Sequence, residues 1–514
     1  MAQNGFLVCS PVMGETVEQM LSQIQLAKEC GADCVELRLD CLNGFNAASD
    51  LEKLLKGRVL PAIVTCRLKS EGGNYEGDEQ KRLNTLTLAY DLGADFVDVD
   101  LQAVSSFVIR RSQKNSPCKI IVSSYINGRT PSPEDLSHLV AKMQSTGADI
   151  LKIVTTATNI TDVSRIFQLI PHSQVPIIAC ATGDRGLISQ LLGPKFGGYL
   201  IYGSIGSGKD LTPGQPKLVD LTNIYKIDRL SSDTKVFGVI ANPVGHSKGP
   251  ILHNQAFRET EYDGVYVPLL VDDLAEFLRV YSAPDFAGFS VGIPHKEAAV
   301  KCCNEVQPLA QSIGAVNTIV RRQGDGKLIG YNTDCEGAIS AIEDGLRGEI
   351  GYQSSGNSSP LDGKLFVLIG AGGAGRALAF GAKQRGARVV IANRNFERAK
   401  ALASAVGAEA ICMEEVDSFH PETGMVLANT SAIGMQPNVN ATPLSKESLG
   451  PYSLVFDAVY TPRETRLLRE AKEAGKTVVS GLEMFIRQAI GQYELFTGNP
   501  APAELMRKIV VRDF

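Results

Sequence analysis

The first 220 residues of the chain alternate short apolar runs with longer segments of helical periodicity. The eight apolar runs read FLVC, CVELRLD, AIVTCR, FVDVDL, KIIVSSY, ILKIVTT, PIIACATG and YLIYGSI. Eight strands spaced in this way predict a parallel (β/α)8 barrel. The triplet Gly-Ala-Asp precedes three of the runs, beginning at Gly31, Gly93 and Gly147. A glycine at that point favours a left-handed helix end that leads into the next strand.

Polar and charged residues stand near the ends of these predicted strands, namely Glu36, Arg38, Arg67, Tyr125 and Lys152. Barrel sites lie at the C-terminal ends of strands, so we expect these side chains to face one mouth. Lys152 lies inside an apolar strand and has two interpretations. It either reaches solvent or pairs with Glu36, or it is a buried amine whose pKa is lowered for Schiff-base chemistry.

The segment 226–234, KIDRLSSDT, has the composition of a linker. Farther along, the stretch GKLFVLIGAGGAGRALAFGAKQRGARVVIANRN predicts a strand, a glycine-rich turn, a helix and a second strand. Its G-x-G-x-x-G glycines predict a dinucleotide-binding turn, because they let the backbone approach a pyrophosphate at the helix N-terminus. The candidate cofactor contacts in and after this turn are Gly370, Ala371, Gly372, Gly373, Ala374, Gly375, Asn393, Arg394, Arg398 and Thr430. Two arginines and no carboxylate follow the second strand, which favours NADP over NAD.

Composition excludes several other classes of function. The chain of 514 residues is 44% hydrophobic and 21% charged, with a net charge of −5 and no basic run. Nucleic acid and anionic membrane surfaces are therefore not expected as partners. The 11 cysteines and six histidines form no C-x-x-C or H-E-x-x-H pattern, so no metal site is predicted. No apolar run reaches about 18 residues, the length of a membrane-spanning helix.

Ordered motifs in both halves resemble known families. NPVGHSKGPILHN, GFSVGIPHKE, GAVNT, GYNTD, GAGGAGRA, ANRN and GLEMFIRQA resemble shikimate dehydrogenases, and ELRLD, TCR, ILKI and PGQP resemble type I dehydroquinate dehydratases. Together they resemble the bifunctional plant enzymes of the shikimate pathway. The resemblance implies an α/β fold in four segments: a (β/α)8 barrel over 1–228, a substrate-binding domain over 233–335, a Rossmann domain over 336–480, and C-terminal helices over 481–514 that return to the substrate domain.

The resemblance also implies roles for individual residues. Lys296 and Asp334 match the catalytic pair of the dehydrogenases, which exchanges the proton of the reacting hydroxyl. Contacts to the substrate ring, its hydroxyls and its carboxylate match Ser247, Asn317, Tyr460 and Gln488. In the barrel, Arg185 and Gln215 join the five residues named above as candidate site residues.

Two departures from the dehydrogenase pattern concern the carboxylate end of the substrate. The family's Ser-x-Ser reads Ser247-Lys248-Gly249, and the family's threonine before Pro-x-Lys is Gly292. Both changes remove a hydroxyl and make room. Shikimate is flat at the carbon that bears its carboxylate, whereas quinate is tetrahedral there and carries a further hydroxyl. The departures therefore favour quinate, with random drift at both positions as the alternative. Arg487 either adds a positive charge near this site or lies on the surface.

Departures in the barrel favour a loss of chemistry. Type I dehydratases carry a histidine at the end of strand five, and here that position is Tyr125. The unperturbed pKa of tyrosine is near 10, against about 6.5 for histidine, so it is a poor proton shuttle at neutral pH. The family's serine ahead of A-P-G-Q is replaced by Leu211. The retained residues indicate a pocket that still binds a ligand.

The sequence thus predicts an NAD(P)-dependent quinate dehydrogenase with a greatly weakened dehydratase barrel, acting on quinate, 3-dehydroquinate and shikimate. One alternative is a working bifunctional dehydratase and shikimate dehydrogenase, and another is a non-catalytic metabolite sensor. Asn395 replaces the family's usual threonine and leaves NAD open beside NADP. The short N-terminus favours the cytoplasm, with the plastid as the alternative if a transit peptide was trimmed. The oligomeric state is left open, a monomer included.

Overall fold

The computed structural model describes residues 5–111, 117–206, 213–348 and 358–513. Leu211 lies outside these described residues. The chain divides into two compact units, Met1–Val236 with Asp263–Asp285, and Phe237–Tyr262 with Phe286–Phe514. Within the described ranges, no helix combines the length and the hydropathy needed to cross a membrane.

The first unit contains the predicted barrel, and the described residues supply all eight of its strands. The strands are β1 (Leu7–Val12), β2 (Cys34–Arg38), β3 (Ala62–Thr65), β4 (Phe96–Asp100), β5 (Lys119–Tyr125), β6 (Ile150–Thr156), β7 (Ile177–Thr182) and β8 (Leu200–Tyr202). Their order is β7-β6-β5-β4-β3-β2-β1-β8, and neighbouring strands pair in parallel. The Tyr199 N–H donates to Ile177 O at 2.9 Å, which brings the two edge strands together. The sheet is therefore a nearly closed barrel, and the predicted fold class is confirmed.

The helices of this unit follow the strands as a barrel requires. They are α1 (Val17–Glu29), α2 (Ala47–Gly57), α3 (Glu79–Asp91), α4 (Val104–Arg111), α5 (Pro133–Gln144), α6 (Asp162–Leu169), α7 (Leu187–Leu192) and α8 (Leu218–Asn223). Local sequence fixes several starts. The Ser132 hydroxyl accepts the Asp135 N–H at 3.1 Å, and Pro133 occupies the first helical position of α5, where its missing N–H costs nothing.

The three Gly-Ala-Asp triplets have a structural role. Their glycines are left-handed, with φ of +92° at Gly31, +82° at Gly93 and +72° at Gly147. Their aspartates each accept a backbone N–H of a neighbouring strand: Asp33 from Val8 at 2.9 Å, Asp95 from Ala62 at 2.9 Å and Asp149 from Ile120 at 2.7 Å. Each triplet thus ends a helix and ties the next strand into the barrel.

A second sheet begins after the linker. Its described strands are β9 (Lys235–Ala241), β10 (Gly264–Leu270), β11 (Phe286–Val291), β12 (Glu305–Val306), β13 (Thr318–Arg321) and β14 (Leu328–Tyr331), in the order β10-β9-β11-β13-β14-β12. Strand β13 is antiparallel to both of its neighbours. The accompanying helices are α9 (Gly249–Glu259), α10 (Leu274–Val280), α11 (Ala299–Cys302), α12 (Pro308–Ile313) and α13 (Asp334–Arg347).

The third sheet is the predicted dinucleotide-binding fold. Its described strands are β15 (Leu365–Ile369), β16 (Arg388–Ala392), β17 (Glu409–Ile411), β18 (Met425–Asn429), β19 (Tyr452–Asp457) and β20 (Thr477–Ser480). They are parallel in the order β17-β16-β15-β18-β19-β20, which reverses direction beside β15 as in a Rossmann sheet. The helices are α14 (Gly373–Gln384), α15 (Phe396–Val406), α16 (Arg466–Glu473), α17 (Gly481–Thr497) and α18 (Ala503–Asp513).

One grouping differs from the predicted segments. Residues Asp263–Asp285 belong to the compact unit of the barrel and not to the unit that holds most of the predicted substrate domain. Two contacts show why: the Tyr281 hydroxyl donates to Ile160 O at 2.6 Å, and Arg185 pairs with Asp272 at 2.6 Å. These contacts join residues far apart in sequence, so no local pattern indicates them.

Candidate active sites

The barrel holds a cavity at the C-terminal ends of its strands, and charged and apolar residues both line it. The cavity is lined by Pro11, Met13, Glu36, Arg38, Arg67, Tyr125, Lys152, Val154, Cys180, Ala181, Thr182, Gln190, Tyr202, Pro213, Gly214 and Gln215. Six of the seven candidate residues of the barrel are among them. The seventh, Arg185, is not in this lining, and its guanidinium holds the Asp272 carboxylate at 2.6 and 2.7 Å.

Lys152 is the charged centre of the cavity. Its side chain is 1% exposed, and its Nζ donates to Glu36 Oε2 at 3.0 Å and to Asp98 Oδ2 at 2.9 Å. Burial alone lowers the pKa of a lysine. Here Asp98 and Glu36 outweigh that burial and raise the pKa of Lys152. The pairing with Glu36 agrees with one of the two interpretations of the sequence, whereas the lowered pKa of the other is wrong for this arrangement.

Asp98 was missing from the predicted site. It lies on β4, and its side chain is buried against Lys152. The run FVDVD carries a signal, because Asp98 and Asp100 alternate with valines and so share one face of the strand. Which lysine that face meets depends on the closure of the barrel and not on local sequence.

Tyr125 stands at the end of β5 beside two cations. The Arg67 guanidinium lies 4.0 Å from the centroid of the Tyr125 ring, and Lys152 Nζ lies 5.5 Å from it. Arg67 also donates to the Tyr125 hydroxyl and, at 3.0 Å, to Glu36 Oε1. Burial raises the pKa of Tyr125 above its ordinary value, although the two cations oppose that effect. The phenol therefore stays protonated at neutral pH.

Two further residues, Arg38 and Gln215, line this cavity. Arg38 is held in a bidentate pair with Asp40, at 2.9 and 2.7 Å. Gln215 Nε2 is buried and has no hydrogen-bond partner in the described part of the chain. A buried amide hydrogen without a partner is costly, so it indicates a place for a ligand oxygen.

In the second unit, Lys296 and Asp334 form an ion pair. Lys296 Nζ lies 2.5 Å from Asp334 Oδ2, and the two side chains are 19% and 5% exposed. Asp334 is the first residue of α13, where the helix dipole favours a carboxylate. The pair was predicted from the sequence resemblance, and the fold brings its two members together across 38 positions of the chain.

The residues expected to contact the substrate differ in how firmly they are held. The Asn317 amide oxygen accepts the Thr333 N–H and the Thr318 hydroxyl, both at 2.8 Å, and its Nδ2 donates to the Thr333 hydroxyl at 2.9 Å. One N–H of that amide is left for a ligand. Gln488 Nε2 donates to Phe485 O at 2.9 Å. The Tyr460 ring packs on the Phe485 ring with centroids 4.9 Å apart.

A second glutamine, Gln492, holds this site together and was not predicted. Its Oε1 accepts the Ser290 hydroxyl at 2.7 Å, and its Nε2 donates to Asn317 O at 3.2 Å and to the Thr318 hydroxyl at 3.1 Å. It lies one helical turn after Gln488 on α17. Residues four apart in a helix lie on the same face, so the spacing of Gln488 and Gln492 could have indicated this role from the sequence.

The two departures, Gly249 and Gly292, follow two neighbouring strands, β9 and β11. Gly292 comes directly after β11 and donates its N–H to Ile240 O of β9 at 2.7 Å. A Cβ at Gly292 would lie 3.0 Å from Ala241 Cβ, so a larger residue requires a small shift of that alanine. Gly249 begins α9, and its N–H donates to the Ser247 hydroxyl oxygen at 3.3 Å.

The glycine turn fits a dinucleotide. Gly370 has φ of +107°, and a Cβ at Gly375 would lie 2.2 Å from Gly370 O, whereas a Cβ at Gly372 would meet nothing within 4 Å. The tight turn therefore requires Gly375, and the open space at Gly372 is where a pyrophosphate would approach the N-terminus of α14. The Thr430 hydroxyl donates to Ile369 O at 2.9 Å and closes the turn from the neighbouring strand.

The two arginines predicted to contact the cofactor come shortly after β16, which ends at Ala392. Asn393 Oδ1 accepts the Ala371 N–H at 3.3 Å, and Arg394 is exposed. Arg398 donates to Glu297 Oε1 at 2.7 Å. Asn395 caps α15, its Oδ1 accepting the Arg398 N–H at 3.2 Å. Asparagine caps a helix as well as threonine does, so this departure preserves the local backbone whichever cofactor binds.

Arg487 is partly buried and pairs with α13. Its guanidinium donates to Asp344 Oδ2 at 2.8 Å and to the Ser340 hydroxyl at 3.0 Å, both on α13. In the described part of the chain, no group of three or more His, Cys, Asp or Glu side chains is arranged to hold a metal ion.

Comparison with known families assigns both units. Residues 8–232 match the model of type I 3-dehydroquinase. Residues 239–319 match the shikimate dehydrogenase substrate binding domain, residues 354–463 match shikimate / quinate 5-dehydrogenase, and residues 481–511 match the shikimate 5'-dehydrogenase C-terminal domain.

Individual relatives agree with these models. The chain is 57% identical, over 99% of its length and 85% of the relative's, to the bifunctional 3-dehydroquinate dehydratase/shikimate dehydrogenase, chloroplastic, of Arabidopsis thaliana. It is 39% identical to the NADP(+) shikimate dehydrogenase of Bacillus cereus strain AH187, over 54% of this chain and 98% of that one. The shikimate dehydrogenase structure of Thermus thermophilus with NADP(H) and shikimate aligns at 34% identity and TM-score 0.47, over 55% of this chain and 100% of that one. The family models and the full-length similarity to the Arabidopsis relative show that the chain belongs to the family of bifunctional 3-dehydroquinate dehydratase/shikimate dehydrogenases.

Proposed function

We propose that this member of the family is a quinate dehydrogenase, which interconverts quinate and 3-dehydroquinate with NADP in preference to NAD, and whose barrel is a greatly weakened dehydratase. The observation that carries the proposal is the pair of glycines, Gly249 and Gly292, that follow two neighbouring strands. Each stands where the family has a hydroxyl residue for the substrate carboxylate.

The chemistry follows from the Lys296–Asp334 pair, 2.5 Å apart. The glycine turn would hold the pyrophosphate of NADP or NAD, and the bound cofactor would supply the hydride acceptor for the ring carbon. As that carbon becomes a ketone, its hydroxyl proton must leave, and the pair accepts and shares it. In the reverse direction the same pair returns the proton to the forming alkoxide. Asn317, held by three hydrogen bonds, would direct its remaining N–H to a ring hydroxyl.

Substrate preference follows from the lost hydroxyls. A missing hydrogen-bond partner costs about 1–3 kcal/mol, which corresponds to roughly 10- to 100-fold in preference. The loss falls on shikimate, whose carboxylate lies in the ring plane. Quinate needs the space for its tetrahedral carbon and extra hydroxyl.

Restoring one hydroxyl tests this proposal. We expect Gly249→Ser to raise kcat/KM for shikimate relative to quinate by at least about tenfold. Gly245→Ser is the matched control, because Gly245 lies in the turn just before α9 and a Cβ there would meet nothing within 4 Å. An unchanged ratio in Gly249→Ser would contradict the assignment of this position to the substrate carboxylate.

The second candidate function is that of a bifunctional dehydratase and shikimate dehydrogenase. The 57% identity to the Arabidopsis enzyme over nearly the whole chain favours it, as does the retained cluster of Lys152, Glu36 and Arg67. It requires Tyr125 to serve in place of histidine. Rapid dehydration of 3-dehydroquinate by the wild-type chain would establish it.

The cellular location also has two candidates. The cytoplasm is our proposal, and the plastid, where the Arabidopsis relative resides by name, is the alternative. Imaging of the full natural protein fused at its C-terminus to a fluorescent protein distinguishes the two.

A further inference from the structure

The segment that carries Lys296 also reaches one of the two arginines predicted to contact the cofactor. Glu297, the residue after Lys296, pairs with Arg398 at 2.7 Å. Arg398 is one of the two arginines, with Arg394, that the sequence pattern predicts for the 2′-phosphate of NADP. The carboxylate therefore holds the guanidinium on which that phosphate would depend.

The position of Glu297 is fixed by its surroundings. The Lys296 carbonyl accepts the Val316 N–H at 2.8 Å. On the other side, a Cβ at Gly373 would lie 2.8 Å from Lys296 Cδ, so the lysine stem rests directly on the first turn of α14. A short, anchored turn thus presents Glu297 to α15.

We propose that Glu297 sets the choice between NADP and NAD by competing with the 2′-phosphate for Arg398. This inference rests on the dinucleotide-binding part of the proposed function. A 2′-phosphate must displace the Glu297 carboxylate from Arg398 and then lie close to its negative charge. NAD has a hydroxyl in place of that phosphate and meets neither obstacle. Arg394 and Arg398 favour NADP, and Glu297 therefore lowers the ratio of the affinity for NADP to the affinity for NAD.

The size of the effect follows from the exposure of the pair. Arg398 and Glu297 are 53% and 46% exposed, and an exposed ion pair contributes at most about fivefold to an equilibrium. Repulsion between a carboxylate and a phosphate a few ångströms apart in water adds a similar small factor. We expect Glu297→Gln to tighten NADP binding by about threefold to tenfold and NAD binding by less than about twofold.

Isothermal titration calorimetry of the full chain with NADP and with NAD measures both affinities without turnover. Glu397→Gln is the matched control, because Glu397 is an exposed carboxylate on α15 that pairs with Lys400 at 3.2 Å and not with Arg398. In an Arg398→Ala background, the selective effect of Glu297→Gln on NADP should become smaller, because only the repulsion between the carboxylate and the phosphate remains.

The calorimetric experiment has three possible outcomes. A selective gain for NADP in Glu297→Gln, absent in Glu397→Gln, supports the inference. Equal changes for the two cofactors, or none, overturn it while leaving the proposed dehydrogenase intact. Failure of the wild-type chain to bind either cofactor overturns the inference and the proposed function together.

Discussion

Replacing Tyr125 by histidine should restore a general base to the barrel. The ring at this position lies 4.0 Å from the Arg67 guanidinium and 5.5 Å from Lys152 Nζ. Two cations at such distances disfavour the imidazolium, so a histidine here would be neutral at pH 7 and able to take a proton. The tyrosine has the opposite character, because its raised pKa keeps the phenol protonated.

The expected gain is set by two opposing features. A positioned general base contributes about 10²- to 10⁴-fold to a rate, or roughly 3–5 kcal/mol of activation free energy. Lys152 remains paired with Glu36 and Asp98, which raise its pKa and keep it an ammonium. The amine must lose that proton before it forms an imine. We therefore expect the dehydratase rate of Tyr125→His to rise by about 100-fold, at the lower end of the range.

The assay follows the absorbance of the conjugated product when 3-dehydroquinate is dehydrated. Tyr125→Phe is the control, and its rate should equal that of the wild type because the hydroxyl takes no part. Borohydride trapping with mass spectrometry reports whether Lys152 forms the imine in each variant. A Tyr125→His variant that traps the imine yet dehydrates no faster than the wild type would refute the reasoning. So would a wild type that already matches the histidine variant.

Three further outcomes follow from the second unit. Lys296→Ala should lower kcat for quinate by about 10²- to 10⁴-fold with cofactor binding retained, and oxidation at the wild-type rate would contradict its role. Gly375→Ala should abolish dinucleotide binding in calorimetry, because its Cβ would lie 2.2 Å from Gly370 O. Gly372→Ala is the comparison: its Cβ would meet nothing within 4 Å, so this variant should keep its fold and at least part of its affinity for the dinucleotide. Burial raises the pKa of Asp457 to about 7, whereas an unfolded chain has about 3.9. The folded state therefore favours the protonated carboxyl. The stability that this protonated group contributes is fully present below about pH 4 and is lost as the pH rises through about 7. The urea-unfolding free energy should therefore fall between about pH 5 and pH 8 in the wild type and fall less in Asp457→Asn, and equal slopes would contradict this.

Much of the fold could be predicted because its signals are local. Each barrel strand is an apolar run bounded by breakers, and the glycines of the Gly-Ala-Asp triplets have the left-handed conformation expected of them. The Rossmann turn is fixed by contacts within a few residues, such as that between Gly375 and Gly370. Such local patterns can be interpreted from the sequence without knowledge of the tertiary structure.

The parts that could not be predicted depend on partners distant in the chain. Lys152 meets Asp98 across 54 positions and Glu36 across 116, and this double pairing raises its pKa although burial alone would lower it. Arg185 meets Asp272 across 87 positions. Only barrel closure and helix packing decide which charges meet, and periodicity carries no information about them.

The most direct test of the central claim is the steady-state oxidation of quinate and shikimate by the wild-type chain, side by side, with NADP and with NAD. We predict that kcat/KM for quinate exceeds that for shikimate by about tenfold or more, as expected from two lost hydroxyls at Gly249 and Gly292. A preference for shikimate would contradict the claim. It would assign the glycines to drift and the chain to the shikimate pathway.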